Sequence, residues 1–194
     1  MKKKRVGVLI SGGGSNMRAL VEAAQDFNYP AEVVFVGSNR PDAGGLIFAQ
    51  QQTISHACVD HKNYPTREAF DAAMMAELQK HDLDLICCAG FMRIMTPILI
   101  KPWLGRMLNI HPSLLPLYKG LHTHQRALAD GAKLHGATVH FVSEELDGGP
   151  MVAQACVPVL DDDTAETLAA RVLAIEHPLY VKALALVASG EVYM

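Results

Sequence analysis

From Arg5 to Ile110 the chain alternates short apolar runs with amphipathic stretches, and this alternation leaves few folds open. The runs "RVGVLI" (5–10), "AEVVFVGS" (31–38), "HACVD" (56–60), "LDLICCAG" (83–90) and "RMLNI" (106–110) have the length of strands. Between them lie helical stretches from Asn16 to about Asp26, from about Ala43 to Gln52, and from Thr66 onward with Glu68 near its first turn; a shorter one spans Pro97 to Trp103. Short runs with so few polar positions suit strands buried on both faces, as in a parallel sheet covered by helices above and below. The expected fold class is therefore α/β, an open, mostly parallel, Rossmann-like twisted sheet with helices on both faces.

The pattern changes after the loop at 111–121. "GATVHFVS" (136–143) alternates as a half-exposed strand and "MVAQACVPVL" (151–160) follows the turn "ELDGGP", so the two form an antiparallel pair through Gly148-Gly149-Pro150. A long helix is expected from the cap region Asp161-Asp162-Asp163-Thr164 to about Ala188, kinked or split at Pro178, and "GEVYM" offers one last edge strand. No repeat, linker or low-complexity segment interrupts the chain, and residues 1–194 are expected to form a single domain.

Charge and cysteine usage narrow the function classes. Lys plus Arg number 17 against 20 Asp plus Glu, a net charge of −3 that gives no electrostatic footprint for nucleic acid or an anionic membrane. The one basic run, Lys2-Lys3-Lys4-Arg5, reads as a solvated tail. Cys58, Cys87, Cys88 and Cys156 contain no C-x-x-C; Cys87 and Cys88 are strand neighbours that face opposite sides and read as buried small hydrophobes in a reducing compartment. No stretch is expected to approach the roughly 20 apolar residues that span a bilayer. The expected location is the cytoplasm.

The glycine-rich turn in "RVGVLISGGGSN" raises the question of an anion. A dinucleotide fingerprint would need a third glycine where Met17 stands, and an acid where the second strand ends in Ser38-Asn39-Arg40. A triphosphate loop would need a lysine after its glycines, and a nucleophile elbow again needs glycine at Met17. Two readings remain: the N–H groups of Gly13, Gly14, Ser15 and Asn16 hold one phosphate monoester at a helix N-terminus, or the turn has no ligand. Beyond the strand "RMLNI", Asn109 and His111 sit two apart at a carboxyl end, where ligands bind in open α/β sheets; they suit an oxyanion, or they cap their loop. His111, His122 and His124 are not read as a zinc site, because no cysteine or carboxylate lies nearby in sequence to complete it. His135 and His140 read as surface and strand residues, and Asp147 as a turn residue that caps its own loop or serves a site.

These residues carry a family resemblance. The segments "VLISGGGSN" (8–16), "REAFD" (67–71), "AGFMRIM" (89–95), "NIHPSLLPLYKGLHTHQRAL" (109–128), "HFVSEELDGGPMVAQ" (140–154) and "EHPLY" (176–180) resemble the folate-dependent phosphoribosylglycinamide formyltransferases of purine biosynthesis over nearly the whole chain. The resemblance implies a formyltransferase fold and a catalytic trio of Asn109, His111 and Asp147. It puts the ribonucleotide phosphate at Gly14, Ser15 and Asn16, its glycinamide amine near Glu176, and 10-formyltetrahydrofolate near Arg67, Met92, Arg93, Ile94, Met95, Asn109, Ser143, Glu144, Glu145, Leu146 and Asp147. Gly13 departs from members with asparagine there, and the chain ends sooner after its last expected strand than some bacterial members do. The implied chemistry is attack of a neutral amine on a formyl carbon: Asn109 and a charged His111 stabilise the oxyanion, Asp147 favours that charge and relays a proton, and no metal is needed. The implied partners are small molecules, with no nucleic acid and no membrane, for a monomer or a homodimer. Formyltetrahydrofolate hydrolase, which would add an N-terminal regulatory domain, methionyl-tRNA formyltransferase, which would add a basic tRNA-holding domain, and a non-catalytic phosphate-binding module are the weighed alternatives.

Overall fold

The computed structural model describes residues 2–194. Seven strands form one sheet in the order β3-β2-β1-β4-β5-β6-β7. Strands β1 (Lys4–Ile10), β2 (Ala31–Ser38), β3 (Ser55–Cys58), β4 (Leu85–Cys88) and β5 (Met107–His111) are parallel; β6 (Leu134–Phe141) and β7 (Met151–Pro158) run antiparallel to their neighbours. The helices are α1 (Ser15–Ala24), α2 (Gly44–Gln51), α3 (Arg67–Leu78), α4 (Pro97–Ile100), α5 (Thr123–Ala129) and α6 (Ala165–Ser189). Fold class and strand directions thus agree with the sequence.

Side-chain alternation builds two cores from one sheet. Val6, Val8 and Ile10 of β1 join Leu85 and Cys87 of β4 in a core that also takes in residues of α1, α2 and α6. Leu9, Ile86 and Cys88 point the other way and pack with Phe70, Met74 and Leu78 of α3 and Leu99 of α4. Cys87 and Cys88 therefore lie on opposite faces, both buried and free. The chain winds outward from β1 through β2 to β3, then returns to place β4 on the other side of β1. A crevice opens at the carboxyl ends of strands flanking such a reversal.

Four sequence expectations are corrected. β6 is not half-exposed: residues 135–141 are all buried, because β6 is an inner strand packed between β5 and β7, and the half-exposed member of the pair is the edge strand β7. α6 is not split: it continues as one helix through Pro178, anchored by buried Leu179, Tyr180, Ala183 and Leu184, with the Tyr180 hydroxyl donating to the carbonyls of Cys88 (3.1 Å) and Leu108 (3.2 Å). "GEVYM" is not a strand: Gly190 takes a left-handed cap (φ 82°) and the Glu191 N–H bonds back to Leu186 O at 3.0 Å. Finally, α6 has the length and apolarity of a membrane span, with mean hydropathy 1.4 over its best 18-residue window, although it packs against β6, β7 and α1 as a core helix. No expectation from the sequence covered α5.

Candidate active site

At the carboxyl end of β1 the chain turns through Gly12, Gly13 and Gly14 into α1. Gly14 is left-handed (φ 71°) and caps the helix; a Cβ there would come within 2.8 Å of Met17 Cε. The first helical bond is Arg18 N–H to Gly14 O, which leaves the N–H groups ahead of it without intrahelical partners. Gly12 and Gly13 have open space where a side chain would be. Such a turn can accept an anion. Asn16, buried one residue into the helix, donates from Nδ2 to Glu176 Oε2 of α6 at 2.6 Å, while its Oδ1 is buried with no partner. Burial raises the Glu176 pKa against the opposing effects of Asn16, His177 and His111. Gly14, Ser15, Asn16 and Glu176, 160 residues apart between the last two, thus form one group in space.

Asn109 and His111 leave β5 on the same face of the sheet. Pairing with β6 sets His140 directly opposite Asn109. His140 Nδ1 lies 2.9 Å from the Phe141 carbonyl and must donate to it, so Nε2 is the acceptor for the Asn109 Nδ2 amide at 3.1 Å. Burial lowers the His140 pKa, which keeps the ring neutral and able to accept. His140 therefore orients Asn109, a role that sequence reasoning missed: a histidine on an apolar strand carries no signal until the strand register is known.

Asp147 joins this pair from the turn before β7. Its Oδ2 lies 3.4 Å from His111 Nδ1 and accepts the Gly120 N–H at 2.8 Å, and its Oδ1 is 3.8 Å from His140 Nε2. The residue adopts φ 49°, a strained setting for a non-glycine. The turn returns to the sheet at Gly149, where a Cβ would strike the Phe141 carbonyl oxygen at 1.9 Å, so only glycine fits. His111 Nε2 donates to the Tyr118 carbonyl at 3.0 Å, tying the site to the 112–121 loop.

An open cleft adjoins this trio, lined by Arg93, Ile94, Met95, Asn109, residues 143–147 and the apolar Phe91, Ile100 and Val142. Of the residues expected there, Arg67 and Met92 stand outside the lining; Arg67 is an exposed first residue of α3 and Met92 is 65% exposed. His135 is not a surface residue: it is buried in β6, with Nε2 3.2 Å from His124 Nδ1. Among the described residues, no group of three His, Cys, Asp or Glu side chains is placed to hold a metal.

The fold thus carries an anion-ready turn, a partly apolar cleft and the grouped side chains of Asn109, His111 and Asp147 on a Rossmann-like sheet, an arrangement suited to a group transferase. The chain belongs to the formyl transferase family, whose model matches residues 4–184, as the sequence resemblance implied. Within it, the chain is 43% identical to the phosphoribosylglycinamide formyltransferase of Escherichia coli strain K12, over 96% of this chain and 88% of that one. A crystal structure of phosphoribosylglycinamide formyltransferase from Brucella melitensis superposes with a TM-score of 0.92 at 54% identity, covering 98% of both chains. The trifunctional purine biosynthetic protein adenosine-3 of Chironomus tentans is 50% identical over 98% of this chain, which spans only 14% of that relative's length.

Proposed function

We propose that this chain transfers the formyl group of 10-formyltetrahydrofolate to the amine of 5'-phosphoribosylglycinamide in purine biosynthesis. The observation that carries this reading is the position of the trio: Asn109 and Asp147 line the cleft, and His111, 3.4 Å from Asp147, lies within electrostatic reach of Glu176 beside the glycine turn. The glycine turn suits the ribonucleotide phosphate, and the Glu176 carboxylate with the unfilled acceptor Asn16 Oδ1 suits donors on its sugar or amine. The cleft, apolar on one wall and edged by the polar backbone of 143–147, suits a flat folate ring.

In the reaction the amine nitrogen bonds to the formyl carbon and the bond from that carbon to the folate nitrogen breaks. The free N–H of Asn109 and an N–H of His111 receive the charge that builds on the formyl oxygen. His111 Nε2 exchanges the Tyr118 carbonyl for that oxygen, while Asp147 holds Nδ1. Through a water, Asp147 accepts the proton shed by the amine, which passes to the departing folate nitrogen. The free thiols of Cys58, Cys87, Cys88 and Cys156 accord with a reducing cytoplasm.

Absorbance of 10-formyltetrahydrofolate incubated with the protein tests this directly. Consumption is expected only when the ribonucleotide is added. Equal consumption without it would make the chain a hydrolase, and none in either case would leave a binding module.

A further inference from the structure

Residues 92–95 form no regular secondary structure, yet Arg93, Ile94 and Met95 make part of the cleft wall. Irregular backbone of this kind holds a shape only if something fixes its ends. At one end the Met92 N–H donates to Ser11 Oγ at 2.7 Å, and the Ser11 hydroxyl donates on to Asn39 Oδ1 at 2.5 Å. At the other, the Thr96 N–H donates to the Asp71 carboxylate. Ser11, Asn39 and Asp71 are 6%, 2% and 0% exposed.

Asp71 is out of keeping with its surroundings. It occupies the buried face of α3 among Phe70, Met74, Met75 and Leu78, where burial raises its pKa and packing alone would be served by an apolar side chain. Its second oxygen is buried without a partner, as is Arg93 Nε, and the Arg93 guanidinium lies 5.3 Å from the centre of the Phe70 ring. The same helix therefore touches the segment twice, through neighbouring residues.

We propose that Ser11 and Asp71 are positioning residues that clamp the two ends of residues 92–95 and so set the affinity for formyl-folate. This rests on the reading that the cleft takes the folate. Neither residue touches the reacting atoms. Ser11 stands just before Gly12, and its backbone N–H, which alanine keeps, bonds to Gly90 O at 3.2 Å, so removing the hydroxyl leaves the glycine turn in place.

The test is steady-state kinetics on Ser11→Ala, Asp71→Ala and Asp71→Asn, with 10-formyltetrahydrofolate and the ribonucleotide varied separately. Both alanine variants are expected to raise the folate KM about tenfold, with kcat and the ribonucleotide KM within about threefold of wild type, since each loses one buried hydrogen bond to the segment. Asp71→Asn keeps an acceptor oxygen for Thr96 and should restore most of the affinity. If Asp71→Ala does not fold, Ser11→Ala, which deletes one hydroxyl, carries the test alone. Ile94→Asp, which alters the cleft wall itself, serves as the reference. A raised folate KM in Ile94→Asp with unchanged values in the folded alanine variants overturns the clamp and leaves the folate reading standing. An unchanged KM in all of them overturns both.

Discussion

One carboxylate does two jobs at the centre of the site: Asp147 accepts from Gly120 and faces His111. If its charge serves the reaction, Asp147→Asn should lower kcat by about 10²–10³, the usual cost of removing a preorganised electrostatic group, and leave both KM values within a few-fold. If it only ties the 112–121 loop to its own turn, the variant should lose thermal stability and keep its turnover. Rate against pH, measured beside a thermal melt of both proteins, separates the two. The spacing of Asn109 and His111 was legible in the sequence because two residues apart on a strand means one face. The partnership of His140 with Asn109 was not, because it depends on which residues of β5 and β6 stand opposite each other.

Elements show where local rules were followed and where packing overruled them. The glycine turn obeys local rules: its left-handed Gly14 is what a tight strand-to-helix turn requires. Gly14→Val should therefore raise the ribonucleotide KM by more than tenfold while the folate KM stays put, because a β-branched residue at φ 71° displaces the backbone donors. Loss of melting temperature with both KM values unchanged would make the turn purely structural. α6 breaks the local rule at Pro178. A mid-helix proline costs about 3 kcal/mol, but each fully buried large apolar side chain returns roughly 1.5–3 kcal/mol, and Leu179, Tyr180 and Leu184 all lie just beyond it. The same packing holds a helix that by composition alone could cross a membrane.

At the scale of the whole molecule, stability should depend on pH through buried histidines. Burial, with His124 nearby, pushes the His135 pKa down to about 4, and His124 and His140 are also lowered by burial. An unfolded chain binds these protons near the ordinary value of about 6.5, so it gains protons before the native state does, and stability falls as pH drops from about 6.5 towards 4. Asp71 and Glu176, both raised by burial, act with the opposite sign, losing stability as pH rises past the ordinary carboxylate range. Urea midpoints of wild type and His135→Gln across pH 4–7 isolate one histidine: the variant should lose less stability on acidification. Equal slopes would show that His135 protonates alike in both states. The sequence by itself determined the α/β alternation, the antiparallel turn at Gly148-Gly149-Pro150 and the glycine turn, because each is set by periodicity or backbone conformation within a few residues. Only the tertiary structure decided that β6 is buried on both faces, that α6 continues past its proline, that Asn16 meets Glu176 and that Ser11 and Asp71 close on residues 92–95. Those contacts join residues up to 160 apart, and they depend on which strands become neighbours, which no local stretch of sequence encodes.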